Sequence, residues 1–301
     1  MDSDEIWVPD ELEMRACEHT LREGVQASLL AGPLFSRNYL YWYQGRLHQS
    51  ERIEMSIFEP AFLYGATVFT TLRVFGCSLE HPATLWQAHC DRVRGSVAEF
   101  NWTMPDWSRV QTGAKQLCHH YPVLRLTFFP DGRELILGRQ LPPQLAKWQE
   151  EGVIAWLAPP SLRAQPLHKT GNYLSCWQSK AQAQAAGAQE AILQNEEGQW
   201  LETSTGNLWG WHAGQWWTPP LAAGILAGIQ REAIKRQLAS QNQSLQESRW
   251  YPELVEQFDY LAYSNSVVGM IPIREVRSCD RTRAFELESP PRLSDQTTWS
   301  L

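Results

Sequence analysis

The sequence predicts a mixed α/β (α+β) fold in two domains, and three observations predict it. The chain is 301 residues long, about the length of two ordinary domains, with ample material for a core. Strand hairpins alternate with helical periodicity through most of it. The segment Leu141-Pro142-Pro143 interrupts both patterns and reads as the interdomain connection. On this reading 1–34 is an N-terminal extension, 35–140 a small α/β domain and 141–150 a linker. Residues 151–278 form a larger domain, and 279–301 a polar tail.

Each element has a local reason. The extension reads as helical, with Leu12, Ala16, His19 and Glu23 on one side and Gly32-Pro33 closing it. From Asn38 the alternation of Tyr39, Tyr41 and Tyr43 describes a strand that turns at Gln44-Gly45 into a second. The β-branched and aromatic stretch from Phe62 to Gly76 predicts a buried strand after the Gly65 turn. A helix should start near His81-Pro82, with Leu85, His89, Val93 and Val97 on one face and Arg92 beside it. Residues 121–138 read as two further strands, and Val153–Leu157 as the first strand of the larger domain. Leu174, Trp177, Ala181 and Ala185 then mark a buried helical face that stops at Gly187. Two hairpins follow, turning at Asn195–Gly198 and near Gly214, and Pro219-Pro220 ends them. Gly228-Ile229-Gln230 opens a helix through Leu238, and a late strand Tyr260–Tyr263 meets Ser264-Asn265-Ser266. The tail after about Arg277 reads as irregular.

Composition narrows the function. A net charge of −7 without a dense Lys/Arg block argues against a nucleic-acid partner. The six cysteines are scattered with no CxxC pair, which reads as free thiols of a reducing compartment, and no metal site is expected. Residues Met1 to Met14 are acidic and lack the apolar core of a secretory signal. No run is long enough for a membrane span, so a cytoplasmic protein acting on a small molecule is expected. The fifteen tryptophans fit core packing or a subunit interface better than a ligand cage.

Three features carry chemistry when taken together. Lys169 precedes a helix and adjoins apolar surface, where desolvation would lower its pKa as imine formation requires. Glu202 ends a strand before the small-residue turn Thr203-Ser204-Thr205-Gly206. Gly228-Ile229-Gln230 presents helix N-terminal amides, which favour a phosphate. An amine, a carboxylate and a phosphate cradle are what a pyridoxal phosphate cofactor needs, and Arg92 would add a bidentate cation. Each feature alone has an ordinary reading: a solvated lysine, a solvated strand end, a plain turn and a surface ion pair.

The residues His168 to Ala239 resemble the fold-type IV pyridoxal-phosphate enzymes, which include branched-chain aminotransferases, D-amino-acid aminotransferases and 4-amino-4-deoxychorismate lyases. The resemblance rests on Lys169-Thr-Gly-Asn-Tyr-Leu, Gly187-Ala-Gln-Glu-Ala-Ile-Leu, Glu202-Thr-Ser-Thr-Gly-Asn-Leu, Thr218-Pro-Pro-Leu and Gly224-Ile-Leu-Ala-Gly-Ile-Gln-Arg231. In the first domain His89-Cys-Asp-Arg92-Val-Arg-Gly-Ser96 resembles the family's His-x-x-Arg-Leu-x-x-Ser. It implies that Lys169 carries pyridoxal 5'-phosphate and shuttles protons, and that Glu202 holds the pyridine nitrogen. It implies cofactor contacts from Arg92, Thr205, Gly206, Asn207, Ile229, Gln230 and Ser266, with glutamine at 230 where threonine is usual. The implied fold is a small N-terminal α/β domain beside a larger domain with barrel-like β structure, in a homodimer.

Two segments resemble the lyases in particular. Gly65-Ala-Thr-Val-Phe69-Thr70-Thr71-Leu-Arg73-Val is similar to their Gly-x-Gly-x-Phe-Thr-Thr-x-Arg-Val, though Ala66 replaces a usual acid. Tyr263-Ser-Asn265-Ser266-Val-Val-Gly269-Met-Ile-Pro272-Ile is similar to their Asn-Ser-Leu-x-Gly-x-x-Pro-Val. Transaminases typically place glutamate where Gly269 stands. The resemblance therefore implies a lyase that converts 4-amino-4-deoxychorismate to 4-aminobenzoate and pyruvate, a step of folate biosynthesis. Thr70, Thr71 or Asn265 would assist the leaving group, and Arg125 would meet a substrate carboxylate. Asn172-Tyr173 is closer to the branched-chain enzymes, so a branched-chain or D-amino-acid aminotransferase is the alternative. A non-catalytic cofactor-binding or interaction protein is the third reading.

Overall fold

The computed structural model describes residues 40–279 and 281–287. The expected helical extension 1–34, and most of the tail, lie outside the described residues. Two sheets organise the chain. The first is antiparallel and has five strands: β1 (Leu40–Tyr43), β2 (Arg46–Gln49), β3 (Val68–Arg73), β4 (Val123–Phe128) and β5 (Glu134–Arg139). Their order is β2-β1-β5-β4-β3, so β3 is an edge strand. With them come α1 (Pro60–Tyr64), α2 (Trp86–Glu99) and α3 (Trp107–Cys118).

The pleat gives this sheet two faces. Leu72, Leu124, Leu126 and Ile136 point to the side where Val93 and Val97 of α2 and Val110 and Leu117 of α3 close a core. The intervening residues Phe69, Thr71, Arg125 and Arg139 therefore share the opposite face, and all four line the cavity described below. Two helices depart from the sequence reading. α2 starts at Trp86 rather than near His81-Pro82, because Pro82–Thr84 forms a 3₁₀ turn and Leu85 then adopts a left-handed φ of 54°. α3 went unread although Asp106 marks its start, accepting from the Ser108 and Arg109 amides at 3.0 and 3.1 Å.

The second sheet has nine strands. They are β6 (Val153–Leu157), β7 (Glu190–Gln194), β8 (Trp200–Thr203), β9 (Asn207–His212), β10 (Gln215–Thr218), β11 (Leu245–Glu247), β12 (Tyr260–Asn265), β13 (Gly269–Arg277) and β14 (Thr282–Ala284). The order is β11-β10-β9-β12-β13-β6-β7-β8, with β14 on β13. Four strands separate β8 from β9 in that order, yet only Ser204–Gly206 joins them, closed by Thr203 N–H to Gly206 O at 2.7 Å. A flat sheet cannot satisfy both, so the sheet curls until β8 returns to β9, as the barrel-like expectation requires. Leu208, Leu261, Ile271, Ile273 and the fully buried Trp250 fill one side of it.

Four helices accompany this sheet: α4 (Leu145–Glu151), α5 (Leu174–Ala185), α6 (Ile229–Ser240) and α7 (Pro252–Val255). α4 stands where a linker was expected, and β14 pairs within the tail read as irregular. α5 has the predicted span but buries a different face. Cys176, Ser179, Ala181 and Ala183 pack inward, small enough to bring the helix close to β6 and β7, while Leu174 and Trp177 are 59% and 51% exposed. Among the described residues, no helix is long and apolar enough to cross a membrane. The described cysteines Cys77, Cys90, Cys118, Cys176 and Cys279 are free.

Candidate active site

Where the curled sheet meets the open face of the small sheet, a cavity of about 440 Å³ opens around Lys169. The backbone explains why the lysine sits there. Phe69 N–H donates to the Lys169 carbonyl at 2.8 Å and Gly171 N–H to Thr67 O at 2.7 Å. The lysine segment thus pairs along edge strand β3 before the chain enters α5, and the side chain leans over Phe69 and Tyr173. Lys169 Nζ donates to the Tyr173 hydroxyl at 3.3 Å, and that hydroxyl donates to Ser204 O at 3.0 Å. Burial, followed by the charges of Arg92 and Arg163, lowers the Lys169 amine to about 7. An amine with that pKa is substantially neutral, hence nucleophilic, near pH 7.

Glu202, at the end of β8, is buried and held by two contacts. Arg163 Nε lies 3.1 Å from Oε1, and the Leu226 amide donates to Oε2 at 3.2 Å. Burial raises this carboxyl above the ordinary range, against the opposing pull of Arg163. Arg163 was missed in the sequence. The available signal was an arginine in a proline-bounded loop leading to Lys169, where it caps the loop by donating to Pro166 O.

The turn after Glu202 is built from small residues for a steric reason. A Cβ on Gly206 would collide with the Ser264 carbonyl, and one on Gly228 with Asn207 Oδ1. Buried Glu190 anchors the same turn, accepting from Ser204 Oγ, from Thr205 Oγ1 at 2.6 Å and from Lys180 Nζ at 3.0 Å. Asn207 Nδ2 donates to Leu226 O at 2.9 Å, tying the turn to the approach of α6. At the α6 N-terminus Gly228 offers no side-chain cap, so the Ile229 and Gln230 amides point to the cavity wall without a side-chain acceptor. Gln230 is buried there, and its Oε1 has no partner.

Arg92 reaches the cavity beside edge strand β3, donating to Thr70 Oγ1 at 2.8 Å. The Thr70 hydroxyl lies 2.6 Å from His89 Nδ1. Burial, then the charge of Arg92, pushes the His89 imidazole well below its ordinary pKa. The sequence expectation placed Thr70 among the donors to a leaving group. Thr70 does not line the cavity, because the pleat that sends Phe69 and Thr71 there turns Thr70 toward α2. Its contacts are with Arg92 and His89. Thr71, Asn265, Ser266, Thr205, Gly206, Asn207, Ile229 and Gln230 all line the cavity, as does Arg125, stacked 3.6 Å above the Phe69 ring. Asn265 is oriented by accepting from the Val267 and Val268 amides at 2.9 and 3.1 Å.

The wall is strongly cationic in a chain of net charge −7. Arg92, Arg125, Arg139, Arg163, Lys169 and Lys180 face two carboxylates, Glu190 and Glu202. Such a surplus in a partly dehydrated site calls for an anionic ligand.

Comparison with known proteins decides which family builds this site. The family profile described as amino-transferase class IV matches residues 67–276. The chain belongs to the class IV aminotransferase family. An aminodeoxychorismate lyase of Vibrio harveyi is 25% identical over 266 residues, covering 82% of this chain and 95% of that protein. Among solved structures, a branched-chain amino acid aminotransferase of Escherichia coli is 20% identical with a TM-score of 0.68, covering 86% of this chain and 92% of that one. A hypothetical aminotransferase from Mycobacterium tuberculosis, in its PLP-bound form, is 17% identical with a TM-score of 0.70, covering 79% of this chain and 90% of that one. These structural likenesses are likenesses of fold.

Family membership implies pyridoxal 5'-phosphate as cofactor, and the residues present fit it. Lys169 offers an amine whose pKa burial lowers to about 7, Glu202 a buried carboxyl for a ring nitrogen, and the α6 N-terminal amides and Arg92 donors for a phosphate. The buried Arg92 Nε, a donor without a partner, is consistent with a further acceptor group there.

Proposed function

We propose that this class IV enzyme is a lyase that converts 4-amino-4-deoxychorismate to 4-aminobenzoate and pyruvate. The observation that carries the reading concerns the two lyase-like segments. Both border the cavity, Phe69 and Thr71 on β3 and Asn265 and Ser266 at the end of β12, and Arg73 N–H joins them by donating to Ser266 O at 3.0 Å. The lyase of Vibrio harveyi, matched along most of both chains, supports it.

When bound, the cofactor supplies an aldehyde for the substrate amine and a ring that takes up electrons. Lys169, with its amine near neutrality, removes the proton from the carbon bearing nitrogen. Glu202, oriented by Arg163 and the Leu226 amide, holds the ring nitrogen. The bond from the ring carbon to the ether oxygen breaks, the ring becomes aromatic, and the departing enolpyruvate takes a proton to become pyruvate. Thr71 and the Asn265 amide are the donors for the departing oxygen. Tyr173 keeps the Lys169 amine aimed inward.

A homodimer belongs to the same proposal. Phe58, Phe62 and Tyr64 are each more than 75% exposed on and before α1, and Gly65 abuts Gly171 and Asn172, just ahead of exposed Leu174 and Trp177. A contiguous apolar surface of this kind favours a second copy. The reaction takes place in the cytoplasm. Residues 35–140 and 151–278 act as its two domains.

The test mixes the protein and pyridoxal phosphate with aminodeoxychorismate and follows 4-aminobenzoate and pyruvate, with branched-chain and D-amino acids plus 2-oxoglutarate in parallel. Equal amounts of aminobenzoate and pyruvate support the lyase. Amino-group transfer without aminobenzoate leaves the aminotransferase reading, which Tyr173 beside Lys169 favours.

A further inference from the structure

Strand β3 and helix α2 meet through two rows of aliphatic side chains, and each row is broken once by a polar residue. On β3 the row facing α2 runs Val68, Thr70, Leu72, at the two-residue period of a strand. On α2 residues four apart give the row His89, Val93, Val97. Thr70 and His89 are both buried, and they meet, with Thr70 Oγ1 2.6 Å from His89 Nδ1. A valine in place of the threonine would keep its shape without burying a hydroxyl. What the polar pair adds is a contact with Arg92, whose Nη2 donates to Thr70 Oγ1 at 2.8 Å.

A hydroxyl has one hydrogen and two lone pairs. Arg92 takes a lone pair of Thr70. His89, one turn before Arg92 on α2, either takes the hydrogen or supplies one of its own. In both cases two partners fix the hydroxyl, and the hydroxyl fixes one end of the guanidinium. An arginine held in this way has less rotamer freedom left to lose when an anion binds. Its Nε is buried without an acceptor, and its side chain lines the same cavity as Ile229 and Gln230. Thr70 is uncharged, so it orients the guanidinium without neutralising it. Burial lowers Arg92 to about 10, which leaves it cationic near pH 7.

We propose that Thr70 and His89 are positioning residues for the cofactor phosphate, acting through Arg92, whose guanidinium they hold ready at the cavity wall. The inference rests on reading Arg92 as the cation of the phosphate cradle. It holds for a lyase and an aminotransferase alike.

The test titrates cofactor-free protein, by tryptophan fluorescence, with pyridoxal 5'-phosphate and with pyridoxal, which keeps the ring and aldehyde but has no phosphate. The ratio of the two affinities isolates the phosphate and cancels any change at Lys169. Thr70→Val should lower that ratio about fivefold to tenfold while pyridoxal affinity stays within about twofold. Thr70→Ser, which keeps the hydroxyl, should restore the ratio, and His89→Leu should lower it about threefold. In an Arg92→Gln background Thr70→Val should change the ratio less than about twofold, because a residue acting through Arg92 then has nothing to act on. An unchanged ratio in Thr70→Val, equal losses with both ligands, or a full effect that persists without Arg92 overturns the positioning role. Should Thr70→Val misfold, Thr70→Ala with the same two ligands decides. A parental ratio in Arg92→Gln alone overturns the reading of Arg92 and this inference with it, while aminobenzoate formation would still support the lyase.

Discussion

The two walls of the cavity solve opposite problems. On the large-sheet wall Arg163 lies against Glu202 and Lys180 against Glu190, and main-chain carbonyls or amides complete the contacts. On the small-sheet wall Arg125 lies on an aromatic ring beside Arg139, and that wall contributes no carboxylate to the cavity. The first wall is electrostatically finished before any ligand arrives. The second, among the described residues, brings cations to the cavity and no carboxylate. A permanently held cofactor suits the finished wall, and a substrate that must come and go suits the other.

Lys169 stands between the walls and gives the largest effect. Lys169→Ala should lower turnover at least about 10⁴-fold while leaving the fold intact, because Phe69 and Gly171 hold the segment through main-chain bonds. Borohydride should no longer fix the cofactor to the protein, as read by mass spectrometry. Residual turnover within tenfold of the parent would remove the lysine from the chemistry and dissolve the distinction between the walls.

The sharpest contrast is in stability of the cofactor-free protein. Glu202→Gln leaves Arg163 a buried charge without its carboxylate, which should cost about 3–5 kcal/mol. Arg125→Leu surrenders no carboxylate partner and relieves repulsion from Arg139, so stability should change by no more than about 1 kcal/mol. Denaturant titration of both variants measures the difference. Comparable losses would mean that the small-sheet wall is as self-contained as the other.

pH probes the same balance through Lys169. Burial, then Arg92 and Arg163, bring its pKa from the ordinary 10.5 to about 7. Capture of pyridoxal phosphate by the cofactor-free protein should therefore accelerate about tenfold per pH unit below 7 and level off above about 8. Between about 7 and 10.5 the unfolded chain binds the proton that the folded lysine has released, so this group favours folding increasingly as pH rises through that window. Arg92→Gln should move the midpoint upward, since one of the charges lowering it is gone. A midpoint near 10 in the parent would show that the lysine is solvated.

The contrast between the walls also explains what the sequence could disclose. Cofactor-side groups come from short local segments, Lys169 to Tyr173, Glu202 to Asn207 and Gly228 to Gln230, whose order and small residues are forced by steric fit. Such segments are legible as motifs. Arg139 is different: its place depends on strand register between β4 and β5, which no local pattern fixes. Arg163 depends on how a proline-bounded loop folds back on Pro166. In the fold, hairpins and Val153–Leu157 were legible because alternation and turn residues agree. The start of α2 was not, because a left-handed Leu85 interrupts an unbroken apolar pattern. The buried face of α5 misled for a related reason. Its small residues pack inward while its large apolar ones stay exposed, reversing the usual inference from hydrophobicity.

The smallest expected effect concerns the proposed phosphate cradle and the side chain of Gln230. If the cradle is made chiefly by the α6 amides and Arg92, the side chain at 230 is secondary, because an amide survives any substitution other than proline. Gln230→Thr should then keep the dissociation constant for pyridoxal phosphate within about fivefold, whereas Arg92→Gln should raise it about tenfold to a hundredfold. Fluorescence titration of the cofactor-free protein, with its buried tryptophans as reporters, compares the two. The orphaned Gln230 Oε1 sharpens the test. As an acceptor it repels a phosphate oxygen, so Gln230 can help only by turning its NH₂ group inward. A loss of about fiftyfold or more in Gln230→Thr would mean that it does so, and that the finished wall includes one polar group still waiting for its ligand.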